Sequence, residues 1–160
     1  MAYPTVSAPY GLKPVNLIGG QVFAGSTRNI PIQYGSATSI FYGDFVRVIR
    51  GNVMRLAITT DGTAQGMVGI FLGCSYTNPL TKQLTFSQYW PAGTLAGDAQ
   101  AIVTDDPDTV FKVAAVAASG NTAITSFSTG YLGQNVQGSN LAGSTATGNS
   151  SNAEIGRAHV

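Results

Sequence analysis

The stretch that decides the fold class is Phe45-Val46-Arg47-Val48-Ile49-Arg50-Gly51-Asn52-Val53-Met54-Arg55-Leu56-Ala57-Ile58. Two runs of β-forming residues flank Gly51-Asn52, a two-residue connection that suits a tight hairpin because glycine takes positive φ at no steric cost. In the first run Val46, Val48 and Arg50 share one face and Arg47 and Ile49 the other, so neither face is purely polar. Arg50 and Arg55 are expected at strand ends, in a solvated rim, with Arg50 a candidate partner contact.

Runs of the same type continue along the chain at Met67 to Ser75, Leu84 to Trp90, Gln100 to Thr104 and Thr109 to Val113. They are separated by turn-forming residues at Asp61-Gly62, Asn78-Pro79, Pro91-Ala92-Gly93 and Asp105-Asp106-Pro107-Asp108. Short strands punctuated in this way predict an all-β chain, a single-domain β-barrel or sandwich with at most short helices. The core is expected over residues 21–118. Asp106 before Pro107 has the form of a helix cap, but the β-branched and aromatic residues from Thr109 favour a strand to about Val113.

Both ends read differently. Residues 1–20 carry Pro4, Pro9 and Pro14 among Tyr3, Tyr10 and Leu17. Prolines at that density predict an extended N-terminal arm, packed on its own domain or reaching over a neighbouring subunit. Tyr3, Tyr10 and Leu17 are its candidate partner contacts, and the barrel is expected to fold without it. Residues 119–153 are rich in Gly, Ser, Thr and Asn and predict loops, with a short helix from Thr122 to Thr129 and a weak strand around Val136. Residues 154–160 can be encoded by GAG ATC GGA AGA GCA CAC GTC, which resembles a short-read sequencing adapter. The natural frame is then expected to depart from this chain near Ala153, leaving that last section incomplete.

Composition narrows the chemistry. Only 9% of residues are charged against 44% hydrophobic, with 20 glycines, one cysteine and one histidine, whereas ordinary domains carry roughly a quarter charged residues. The histidine, His159, lies in the adapter-like segment, so Ser-His-Asp and Cys-His catalysis lack a base, and zinc lacks ligands. Cys74 sits in the apolar run Gly69 to Cys74 and reads as a buried inert thiol. Asp105, Asp106 and Asp108 could bind calcium, but the loop lacks the alternating ligands and closing glutamate of an EF-hand, so a capped turn is the simpler reading. A net charge of +1, spread along the chain, argues against nucleic acid. No run approaches the about 18 apolar residues that cross a bilayer, which argues against a membrane. Trp90 and Tyr89 have the makings of a sugar-stacking platform or of a partner contact. No catalytic, cofactor-binding or metal residues are assigned.

The order Gly19-Gly20-Gln21-Val22-Phe23-Ala24-Gly25, Tyr42-Gly43-Asp44-Phe45-Val46, Gly69-Ile70-Phe71-Leu72-Gly73-Cys74-Ser75-Tyr76, Tyr89-Trp90-Pro91-Ala92-Gly93 and Asp105-Asp106-Pro107-Asp108-Thr109-Val110-Phe111 resembles small virion structural proteins of tailed bacteriophages, the capsid cement or decoration proteins. The resemblance covers roughly Tyr10 to Asn152. It implies a non-enzymatic protein made in a bacterial cytoplasm and carried on the virion, on the capsid surface. There it would bind the major capsid protein and sister copies as a homo-oligomer and stabilise capsomer contacts. It also implies further strand-forming sequence beyond this chain. The alternative function is a carbohydrate- or receptor-binding module of a phage fibre, with Tyr89 and Trp90 as its platform.

Overall fold

The computed structural model describes residues 9–57, 66–116, 132–133, 137–139 and 141–155. The expected helix at Thr122 to Thr129, the strand around Val136, the Asp61-Gly62 loop, Tyr3 and His159 lie outside them. The chain is all-β. Among the described residues eleven strands form three sheets. The largest has the order β2-β7-β5-β3-β4, with β2 at Arg28–Pro31, β7 at Gln100–Thr104, β5 at Met67–Thr77, β3 at Phe45–Ile49 and β4 at Asn52–Arg55, and with β6 (Leu84–Ser87) pairing on β5. Every pair in it is antiparallel. The outer strands of that order meet where Ile32 bridges Val53, so the sheet curls toward a barrel.

The fold depends on which face of each strand turns inward. Along β5, Phe71, Cys74 and Tyr76 all enter the core, a spacing that strict alternation forbids. A bulge resolves it. Phe71 opposes Val103 and Gly73 opposes Ile102, leaving Leu72 as an extra residue, after which Cys74 opposes Ala101. The inserted residue reverses the parity of the strand, so both halves of β5 present apolar side chains to the inward face of β7. Trp90 completes this core. It is fully buried, pinned by reciprocal backbone bonds with Ile40 (2.7 and 3.1 Å) and set edge-on to Tyr76 at 5.2 Å.

The hairpin forms, shifted by one residue. Asn52 pairs with Ile49, so the turn residues are Arg50 and Gly51 and not Gly51 and Asn52. Both have positive φ, 51° and 79°, the handedness that matches the twist of the flanking strands. Asn52 supports the turn by donating its side-chain amide to the Arg50 carbonyl (3.3 Å).

Parts of both ends are built into the fold. From Gly11 onward the expected arm packs on its own domain, one of the two arrangements open to it. Residues Lys13–Leu17 form β1, which pairs with β8 (Thr109–Lys112) as a ribbon. Gly11 and Leu12 donate to the carbonyls of Asn152 and Gly43. Beyond β8, Ala115–Val116 makes a further strand, β9, past the expected end of the strand near Val113. It pairs parallel with β11 (Ala153–Ile155), which in turn pairs with β10 (Gln137–Ser139). Ser150, Asn152 and Ala153 are buried, so the described end of the Gly/Ser-rich section, residues 141–153, is built into the domain.

One carboxylate joins these pieces. Asp44 is fully buried. It meets the Arg55 guanidinium at 3.1 Å and accepts from the Phe41 N–H (2.9 Å) and the Ser150 hydroxyl. The Ser150 oxygen accepts from the Asn152 N–H (2.9 Å), and the Asn152 side-chain oxygen accepts from the Leu141 N–H (3.1 Å). Arg55 also donates to the Leu141 carbonyl. Burial raises the Asp44 carboxyl above its usual range, while Arg55, Ser150 and Phe41 pull it back. The next residue back, Gly43, lies so close to the N-terminal segment that a Cβ there would sit 2.6 Å from the Leu12 nitrogen.

Two outcomes follow. Asp44→Asn keeps the shape but removes the charge facing Arg55. It should lower unfolding free energy by about 3 kcal/mol, since breaking a buried pair from one side typically costs 3–5 and Arg55 is partly solvated; urea denaturation reads this. Gly69→Ala should cost about 3 kcal/mol in the same assay, because its Cβ would fall 2.1 Å from the Thr104 carbonyl and force β5 off β7. Wild-type midpoints for both variants would refute this packing.

Candidate functional surface

The residues expected to carry chemistry are mostly occupied by the fold. Arg28 pairs with Asp105 at 2.7 Å. Asp106 accepts from the Asp108 N–H at 2.9 Å with its side chain and from the Thr109 N–H with its carbonyl, the geometry of a capped turn. Asp98 is tied to Thr77 through its hydroxyl and its N–H, bonds that hold the carboxyl below its usual range. Among the described residues no three His, Cys, Asp or Glu side chains stand close enough to share a metal ion. Cys74 is buried, 3.5 Å from the Tyr89 carbonyl, and burial pushes its thiol up to about 12.

The candidate partner contacts do not converge. Trp90 is a core residue and offers no face to a partner, which corrects its assignment as a contact; its indole N–H has no hydrogen-bond acceptor among the described residues. Tyr89 is stacked on Phe41 at 5.6 Å. Tyr10 is half-buried, its ring 5.1 Å from the Lys13 ammonium, and Leu17 is half-buried in β1 opposite Thr109. Of the four that are described, Arg50 is the one that stands exposed, at the hairpin tip. Arg55 is not a rim residue. It belongs to the buried Asp44 network, because β4 curls its far end toward the segment around Leu141.

The surface also presents apolar strips. On the β1–β8 ribbon Val15, Ile18, Val22 and Val110 are exposed around Asn16, which pairs with Val110 and bridges Val22. On the β5–β6 hairpin Leu80, Leu84 and Phe86 are exposed. The loop carrying Leu80 is held rigidly. The Asn78 side chain accepts from the Leu80 and Thr81 N–H groups, and the Asn78 carbonyl accepts from the Lys82 N–H. A groove of about 510 Å³ runs beside Phe86, lined by Leu72, Ile102, Tyr42, Gln88 and Lys13. A second, of about 340 Å³, lies under the ribbon between Phe45, Ile70 and Phe111. Sequence reasoning missed these strips because alternation marks an apolar face without saying whether another element covers it.

No protein-family model, curated protein or solved structure matches the chain.

The Cys74 thiol should stay silent to an aromatic disulfide reagent at mildly alkaline pH in the folded protein and react stoichiometrically once denatured. Rapid labelling of the native chain would place it at the surface.

Proposed function

We propose that this chain is a non-enzymatic structural protein of a tailed-phage virion, bound to the outside of the capsid, where it stabilises contacts between capsomers. One observation carries the reading. Apolar side chains are displayed on strands and a braced turn, while the carboxylates of Asp44, Asp98, Asp105 and Asp106 and the Cys74 thiol are engaged in holding the fold. Rigid apolar strips of this kind serve protein–protein contact. The sequence resemblance supplies the class of partner, the major capsid protein and sister copies.

The low charge fits the same role, since contacts built from apolar and neutral polar groups lose little strength in salt. In a symmetric shell each copy is held at fixed geometry beside its neighbours, so modest single contacts sum to firm attachment. The sugar-binding alternative relied on Tyr89 and Trp90 as an open platform. With Trp90 inside and Tyr89 stacked on Phe41, it has no exposed aromatic pair to stand on.

The test is co-expression with the major capsid protein of the phage genome that carries this gene, followed by gradient sedimentation of the assembled shells. The protein should travel with the shells at a saturable ratio and raise the temperature at which they break open. Shells that sediment without it, and break at the same temperature in its presence, would overturn the proposal.

A further inference from the structure

Strand β6, Leu84–Ser87, pairs with β5 and, among the described residues, with no other strand, so one of its edges is open. Which backbone groups line that edge follows from the register. In an antiparallel pair, residues alternate between those bonded to the residue opposite and those whose N–H and C=O point away from it. Asn78 donates to the Gln83 carbonyl at 2.9 Å, which makes that a bonded pair. Its neighbour Thr77 turns its N–H away from β6, to the Asp98 carboxylate at 3.1 Å. Continuing the alternation, Tyr76 and Thr85 bond, whereas Leu84, opposite Thr77, and Phe86, opposite Ser75, direct their backbone groups outward. The side chains of Leu84 and Phe86 are also exposed, 63% and 74%, while Thr85 and Ser87 are half-buried.

We propose that two copies of the chain join along this edge, β6 antiparallel to β6 about a twofold axis at Thr85. Leu84 then faces Phe86 of the second copy, and Phe86 faces its Leu84. This is the one register that pairs both outward-facing residues within the strand and keeps the two apolar rows on the same face. A twofold contact requires a surface complementary to itself, and β6 has that property in both its backbone groups and its side chains. Gln83 to Ser87 contains no charge and no proline, the usual guards that keep open edges apart. The pairing stands on strand geometry alone and holds whether or not the protein binds a capsid.

The 160-residue chain should sediment as a dimer at the upper end of a broad concentration range. Phe86→Lys and Leu84→Pro should sediment as monomers with an unchanged far-UV spectrum. The proline removes only an outward N–H, so the internal ladder survives. The register has its own test. Thr85 opposes itself in a non-bonded pair with Cα atoms about 4.5 Å apart, within disulfide reach. Thr85→Cys should therefore give a covalent dimer on mild oxidation, and Ser87→Cys, which faces residue 83 of the second copy, should not. A wild-type chain that stays monomeric at every concentration would overturn the proposal. So would a Thr85→Cys protein that cross-links no faster than Ser87→Cys. If Phe86→Lys fails to fold, Leu84→Pro and the cysteine pair decide the matter.

Discussion

A single carboxylate, Asp44, is buried where three distant parts of the chain meet, and the arrangement of the rest depends on satisfying it. Arg55 reaches it from the end of β4, Ser150 from the C-terminal section and Phe41 from the adjoining turn. An ionised group in such a place is costly unless each oxygen is engaged. Each engagement here fixes a different segment: β4 by charge, and residues 141–153 by the chain of bonds through Ser150 and Asn152. The N-terminal segment joins by backbone bonds to Gly43 and Asn152. The segment from Gly11 and residues 141–153 are thus tied into the domain around this buried charge.

The core obeys a second constraint, that inward side chains on neighbouring strands must face one another. The bulge at Leu72 meets it by reversing the alternation of β5 midway, so that Phe71 lies opposite Val103 and Cys74 opposite Ala101. Without it one half of β5 would turn its apolar residues outward, away from Trp90 and from Ala101 and Val103 of β7. The close approach at Gly69 belongs to the same arrangement, since β5 runs against the Thr104 carbonyl at a distance that admits no side chain.

These two constraints also shape the surface. Some surface charges are tied into local pairs, as Asp105 is with Arg28 and Asp98 with Thr77. What faces water is mainly neutral polar residues, with apolar strips on the β1–β8 ribbon and the β5–β6 hairpin. Such a molecule is equipped to be covered by other protein, and the open edge of β6 offers one defined place for that to happen.

All-β architecture was legible in the sequence because alternation and turn chemistry act over a few residues. The runs at Phe45 to Arg55 and at Gln100 to Thr104 became strands, and the Asp105 to Asp108 turn is capped as its residues suggest. The hairpin turn was misplaced by one residue because Arg50 takes a positive φ that its side chain does not advertise. Trp90 read as a candidate platform and lies in the core; Arg55 read as a rim residue and lies in a buried pair. Sequence by itself determined the element type, since that rests on local sterics and hydrogen bonding. Which faces are covered, and whether the ends belong to the domain, was decided only by the tertiary structure. Those outcomes depend on contacts such as Asp44 with Ser150, 106 residues apart, whose partners local pattern does not name.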